Sequence, residues 1–329
     1  MIKLAMFDSK QYDIESFDSL SGEKFKIKYF ETKLTEDTAY LAKGYDAVCV
    51  FVNDTVDSAV IDVLESLSVK LVALRCAGFN NVNLKYASGK IKVIHVPAYS
   101  PEAVAEHAIG MLLTSVRRIH KAYIRSKDFN FSLNGLTGFN LYGKTMGVIG
   151  TGKIGKAFVN ICKGFGMEVL AYDLYPDESL GIRYTNLEEI FEKSDILSLH
   201  CPLTKDNYHL IDSKALSTMK NGIVIINTSR GSLIDAEALL DGIKNRKVGA
   251  ACLDVYEEES DLFFEDNSGH IVHDDILARL ISMPNVLITS HQAFLTKEAL
   301  GNIAETTLNG IELFFEEGKL VNEVVYNKK

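Results

Sequence analysis

The chain has 329 residues, 47% of them hydrophobic and 24% charged, with a formal net charge of -9. That length exceeds one typical core and points to about two domains. The acidic balance leaves no basic surplus to neutralise phosphates, which argues against a nucleic-acid partner. The five cysteines (Cys49, Cys76, Cys162, Cys201 and Cys252) are scattered without a CxxC pair, as in a reducing compartment rather than a disulfide framework. Charge enters at Lys3 and Asp8, too early for a secretory signal, and no apolar run nears the ~20 residues that span a bilayer. A cytoplasmic protein without a membrane partner is expected.

Short apolar runs rich in β-branched residues alternate with longer stretches of helical period, the pattern of an α/β fold. Strands are predicted at Ile2 to Phe7, Lys26 to Phe30, Ala47 to Phe51, Leu71 to Arg75 and Lys92 to Val96. A second series runs Thr145 to Ile149, Glu168 to Tyr172, Ile196 to His200, Ile223 to Asn227, Gly249 to Leu253 and Val286 to Thr289. Their continuous hydrophobicity predicts burial on both faces, hence parallel sheets. Five strands and then six give two doubly wound domains in succession.

The boundary falls near Pro97-Ala98-Tyr99-Ser100-Pro101, where Ser100 suits an N-cap and Pro101 a first helical position. The helix that follows, Glu102 to about Val116, is apolar on almost every side, which predicts burial all round between domains and in a subunit interface. At least a homodimer, or a homotetramer, follows from that placement. The acidic stretch Glu257 to Asp275, with Glu257, Glu258, Glu259 and Asp261, is long for a connection and predicts a functional loop with its own short helix. A closing helix is predicted over Thr296 to about Glu317.

The turn Gly150-Thr151-Gly152-Lys153-Ile154-Gly155 follows an apolar strand and opens a helical stretch. In that setting the first glycine permits the tight turn, the second lets backbone approach a pyrophosphate, and the third lets helix and strand pack closely. Helix N-terminal amides then face the phosphates. Asp173 ends the next strand, where a carboxylate suits a ribose 2′-hydroxyl and repels a 2′-phosphate. With no arginine at Leu174-Tyr175, the cofactor expected is NAD rather than NADP.

Three later segments each end a predicted strand: Asn227-Thr228-Ser229-Arg230-Gly231, Leu253-Asp254 on to Glu259, and Ser290-His291-Gln292-Ala293-Phe294. Open α/β sheets place their ligand crevice at those ends. Reducing a 2-oxo acid needs a fork for the carboxylate, an acid for the carbonyl oxygen and a charge to support that acid. Arg230, His291 and Glu259 fill these roles. Taken singly, each residue reads more readily as an ordinary surface, ion-pair or structural group. Their joint placement at successive strand ends is what singles them out.

On these segments, together with Leu74-Arg75-Cys76-Ala77-Gly78-Phe79-Asn80-Asn81 and Val96-Pro97-Ala98-Tyr99-Ser100-Pro101-Glu102-Ala103-Val104-Ala105-Glu106-His107, the chain resembles the D-isomer-specific 2-hydroxyacid dehydrogenases. The resemblance covers essentially the whole length. It implies that Arg230 binds and polarises substrate, that His291 donates the proton with Glu259 as its partner, and that the reaction is reduction of pyruvate to D-lactate. It further implies that Ala77-Gly78 amides take the substrate carboxylate and that Tyr99 and Phe294 shape the pocket. Cofactor contacts are implied at Lys153, Ile154, Asp173, Cys201, Pro202, Asn207, Thr228, Ser229, Arg230 and Asp254. The domain plan expected is a flavodoxin-like substrate domain, residues 1–99 plus 297–329, with a Rossmann-type NAD domain, 100–296, inserted into it. Some relatives carry Pro-His where this chain has Ser290-His291, a change of little expected chemical consequence.

His200-Cys201 and His270-Ile271-Val272-His273-Asp274 lack a matching partner pair, so no metal is expected, and no G-x-S-x-G elbow supports a hydrolase. A dehydrogenase for a larger 2-oxo acid and an NAD-sensing binding protein are the alternative readings.

Overall fold

The computed structural model describes residues 1–259 and 262–326. The chain divides into two compact units, Met1–Ser100 with Leu295–Lys329, and Pro101–Phe294.

The first unit runs β1 (Ile2–Met6), α1 (Gln11–Ser21), β2 (Phe25–Tyr29), β3 (Ala47–Val50), α2 (Ser58–Ser66), β4 (Leu71–Leu74), α3 (Leu84–Ala87) and β5 (Lys92–Ile94). All pairings are parallel, in the order β2-β1-β3-β4-β5. This is the flavodoxin-like arrangement, whose order reverses between β1 and β3. Every residue of β3 and β4 is buried, as their unbroken apolar runs require. Several ladders stop short of the predicted ends: Phe7, Phe51 and Arg75 are buried yet lie beyond the last strand residue. Arg75 donates from Nη1 to Phe7 O at 3.0 Å, from Nη2 to Asp8 O at 2.7 Å, and from Nε to Asp13 Oδ1 at 3.1 Å. A buried guanidinium so fully partnered ties the carboxyl ends of β1 and β4 together.

The second unit opens with α4 (Pro101–Val116) and α5 (Ile119–Lys127). It continues β6 (Thr145–Ile149), α6 (Lys153–Gly164), β7 (Glu168–Tyr172), β8 (Arg183–Tyr184), α7 (Leu187–Lys193), β9 (Ile196–Leu199) and α8 (Ser213–Thr218). It ends β10 (Ile223–Asn227), α9 (Ala236–Lys244), β11 (Val248–Leu253), α10 (Asp275–Ser282) and β12 (Val286–Ile288). The sheet order is β12-β11-β10-β9-β6-β7-β8, all parallel. Counted from β6, this is the 3-2-1-4-5-6 order of a dinucleotide fold with one further strand at the edge. Buried apolar clusters cover both faces of the sheet. The final helix, α11 (Lys297–Glu317), belongs to the first unit and packs on α1. Thr296 caps it by accepting from Ala299 N.

Two expectations need correction. The second sheet has seven strands rather than six, because the two-residue edge strand β8 has no apolar run to announce it. Helix α4 is not buried all round: Glu102, Glu106 and Gly110, spaced four apart on one face, are exposed, while the other faces pack against α6 and β11. In the acidic stretch Glu259 has a 3-10 helical conformation, and the expected short helix falls partly on Ser260-Asp261, outside the described residues; α10 begins at Asp275.

Candidate active site

The glycine turn joins β6 to α6, where the sheet order reverses. Gly150 has φ +94°, and a Cβ there would lie 2.6 Å from Cys201 N. A Cβ on Gly155 would lie 2.0 Å from Gly150 O. Gly152 differs from both, since a Cβ there would meet nothing within 4 Å. It is the N-cap of α6 and offers no side chain to the helix amides, so those donors stay available. Lys153 is exposed and Ile154 half-buried on the first turn. Asp173, just past β7, accepts from Thr151 N at 2.5 Å and from Tyr175 N at 2.8 Å. Thr228 Oγ1 is buried without a hydrogen-bond partner. Open backbone at Gly152, uncapped amides, the Asp173 carboxylate and this unsatisfied hydroxyl fit a dinucleotide.

The loop after β9 carries His200, Cys201, Pro202 and Asn207. Cys201 O accepts the Ser229 hydroxyl at 2.6 Å, and Asn207 Nδ2 donates to Pro202 O at 2.8 Å. Burial pushes the Cys201 thiol up to about 11, so it remains protonated at neutral pH.

Arg230 follows β10 in a loop organised by Asn227, whose Oδ1 accepts Ser229 N at 3.0 Å and whose Nδ2 donates to Arg230 O at 2.8 Å. The Arg230 Nη1 donates to Ser229 O at 2.6 Å, and the half-buried guanidinium pairs with no carboxylate among the described residues. A fork left unpaired in this way can receive an anionic ligand.

His291 and Glu259 meet directly, Nδ1 to Oε1 at 2.8 Å. The other Glu259 oxygen accepts Tyr256 N at 2.9 Å, and both residues are half-buried. Holding Nδ1 on a carboxylate leaves Nε2 as the ring atom that can pass a proton outward. The Phe264 ring lies 5.8 Å from the imidazole, centroid to centroid.

Asp254 is fully buried, and its two oxygens accept from Thr289 Oγ1, Gln292 N and Ala293 N at 2.6 to 2.9 Å. Its carboxylate therefore supports the His291 loop. His107 on α4, with Nε2 3.3 Å from Asp254 Oδ1, is a supporting residue that the sequence did not single out. Phe294 is buried at the end of the same loop.

In the first unit, Ala77 and Gly78 follow Arg75 past β4, both half-buried. Ala77 O lies 2.9 Å from His95 Nδ1, and Cys76 Sγ lies 3.2 Å from Gly78 O, so the loop is tied from both sides. Tyr99 is half-buried, and its carbonyl accepts Asn302 Nδ2 at 2.5 Å. Among the described residues no cluster of three metal-ligating side chains occurs, and no helix is long and apolar enough to cross a membrane.

Residues 109–293 match the family model described as D-isomer specific 2-hydroxyacid dehydrogenase, NAD binding domain. The chain is 52% identical to the D-lactate dehydrogenase of Escherichia coli (strain K12), covering 98% of this chain and 100% of that one. Among solved structures, the apo form of D-lactate dehydrogenase from Escherichia coli matches with a TM-score of 0.91 at 50% identity, over 98% of this chain and 100% of that one. The pyruvate reductase of Chlamydomonas reinhardtii matches with a TM-score of 0.94 at 41% identity, over 98% of each chain.

Proposed function

The chain belongs to the D-isomer specific 2-hydroxyacid dehydrogenases, an NAD-binding family, and on that premise we propose that it reduces pyruvate to D-lactate. The observation that carries the reading is the His291–Glu259 contact at 2.8 Å, in a unit that also carries the Arg230 fork with no carboxylate partner among the described residues. Bound NADH supplies the hydride that reaches C2 of the substrate. Arg230 holds the substrate carboxylate and polarises the carbonyl, while His291 Nε2 gives its proton to the carbonyl oxygen. Glu259 fixes the ring by Nδ1 and offsets the charge of the protonated imidazole. Gly150, Gly152 and Gly155 would cradle the pyrophosphate, with Lys153 and Ile154 on the same turn, and Asp173 would hold the ribose. Cys201, Pro202, Asn207 and Thr228 to Arg230, on loops of the same unit, would supply further contacts to the bound cofactor. In the first unit, the Ala77-Gly78 amides are the candidate donors to the substrate carboxylate, with Tyr99 nearby in sequence as a candidate pocket residue.

The same reading makes the protein a cytoplasmic homodimer or homotetramer. Ile119, Tyr123 and Ile124 on α5 and Phe129, Phe131 and Leu133 after it are all exposed, a local run of apolar side chains that an interface would cover.

The test is NADH absorbance with pyruvate, followed by chiral analysis of the product. Wild type should turn over and yield the D isomer, and His291→Ala should lose on the order of 10²–10⁴-fold in rate. Near-normal turnover in that variant would remove His291 as the acid. NADH binding without turnover on pyruvate or on 2-oxoisocaproate would instead support a sensor, and preference for 2-oxoisocaproate a larger substrate.

A further inference from the structure

Two residues outside the proposed catalytic set, His209 and Glu257, join the loops that carry it. His209 lies in the loop between β9 and α8 with φ +52°, a left-handed conformation uncommon for a side chain larger than glycine. Its backbone N–H donates to Ser232 O at 2.9 Å, which ties this loop to the turn just after Arg230. Its ring Nε2 lies 2.5 Å from Glu257 Oε1, and the Tyr208 hydroxyl donates to the same oxygen at 3.0 Å. The two rings stack with centroids 4.0 Å apart, so both donors approach one acceptor from a single platform.

Glu257 belongs to a segment with no room to shift towards Arg230. A Cβ on Gly231 would lie 2.0 Å from both the carbonyl carbon and the oxygen of Tyr256. Two residues beyond Glu257, the Glu259 carboxylate accepts Tyr256 N on one oxygen and meets His291 on the other. The Tyr256–Glu259 turn is therefore gripped on one side by Glu257 and presents the partner of His291 on the other.

We propose that His209 and Glu257 are positioning residues whose hydrogen bond holds this turn where Glu259 reaches His291; the proposal rests on the reading of that pair given above. The other charged group facing His209 is Asp235, with Oδ2 3.9 Å from Nδ1, and Glu258 adds its field at Tyr208. Because His209 and Glu257 are partly solvated, their pairing adds little to stability. Its effect is geometric, on a contact where a misplacement of about 1 Å costs of order 100-fold in rate.

The test compares His209→Ala, His209→Gln and Glu257→Ala in the full chain. One measurement is kcat against KM for pyruvate reduction. The other, made without substrate, is the low-field NMR resonance of the His291 ring proton held by Glu259. His209→Ala should lower kcat roughly tenfold to a hundredfold, with KM for NADH unchanged, and broaden or abolish the resonance. His209→Gln keeps a donor near the Nε2 position and should restore most of both. Combining His209→Ala with Glu257→Ala should be no worse than the poorer single variant, since both remove one tie. A His209→Ala protein that melts earlier but keeps the resonance and kcat would overturn the proposal, and so would a wild type lacking the resonance. A wild type that shows the resonance and fails to reduce pyruvate sinks the proposed function instead, and the resonance in His209→Ala still decides the positioning role.

Discussion

Asp254 holds His291 through its main chain: the His291 N–H donates to the Asp254 carbonyl at 2.7 Å, and the next two amides donate to the Asp254 carboxylate at 2.9 Å each. His291 has φ +52°, a conformation that costs on the order of 1 kcal/mol in a non-glycine residue and persists only where neighbours enforce it. Burial alone would raise the Asp254 carboxyl, but His107, the Thr289 hydroxyl and the Ala293 amide outweigh it and hold the group below the ordinary carboxylate range.

Asp254→Asn should accordingly be costly despite its matching shape. Asparagine keeps one acceptor oxygen and turns an amide nitrogen towards a backbone N–H, leaving a buried donor unsatisfied at about 1–3 kcal/mol. A group with a lowered folded value stabilises above its unfolded value and loses that contribution as pH falls through the folded one. The wild type should therefore shed stability below the ordinary carboxylate range, and the variant should show a shallower acid limb with a lower kcat at pH 7. Urea unfolding from pH 3 to pH 7 checks this, and coincident curves for the two proteins would refute it.

Two glycines of the turn should separate folding from binding. Gly155→Ala places a methyl 2.0 Å from Gly150 O, so α6 must move away from β6. We expect a loss of roughly 1–3 kcal/mol, as for other overpacked sites, with NADH binding lost alongside. Gly152→Ala meets no protein atom within 4 Å, so its melting temperature should stay near wild type while NADH affinity falls. Calorimetry and NADH fluorescence titration on both variants check the contrast. Full NADH affinity in Gly152→Ala would mean that the pyrophosphate does not approach there.

That turn was legible in the sequence because its three glycines fall within six residues between a strand and a helix. Strand centres were legible for a similar reason, since four or five consecutive buried residues leave no other reading. Ladder ends were not: Phe7 and Phe51 stay buried after pairing stops, so hydrophobicity overshoots hydrogen bonding. Strand β8 escaped because Arg183 and Tyr184 sit at an edge with little to bury. The Glu102, Glu106 and Gly110 face of α4 was visible in its spacing but outweighed by the apolar residues around it. The His209–Glu257 tie joins positions 48 apart, and no local pattern marks such a pair. Fold and catalytic types thus follow from short-range pattern, while the supports beneath them are products of tertiary contact.

The apolar surface on α5 predicts association. Ile124 is 60% exposed and Tyr123 59%, an arrangement costly to leave in water. Wild type should sediment as a dimer or larger, and Ile124→Asp should shift it towards monomer without changing the fold of the NAD-binding unit. Analytical ultracentrifugation with circular dichroism checks both parts. A wild type that stays monomeric at micromolar concentration would dismiss the surface as an interface.

His200 offers a test of the second unit against pH. It lies at the end of β9 beneath the glycine turn, with Nε2 2.8 Å from Ser198 Oγ and with Nδ1 buried and unpartnered. Burial pushes the ring down to about 3, so it stays neutral in the folded protein while an unfolded histidine titrates near 6.5. With the folded value lowered, the unfolded chain takes up the extra proton. The contribution of the neutral ring is complete above about pH 6.5 and is lost as pH falls towards 3. Between pH 7 and pH 5 the loss is at most about 2 kcal/mol. His200→Gln cannot take up that proton, so unfolding of the variant should lose less stability over the same interval, although it starts lower at pH 7. Equal pH dependence in the two proteins would show that the ring is open to protonation in the folded state.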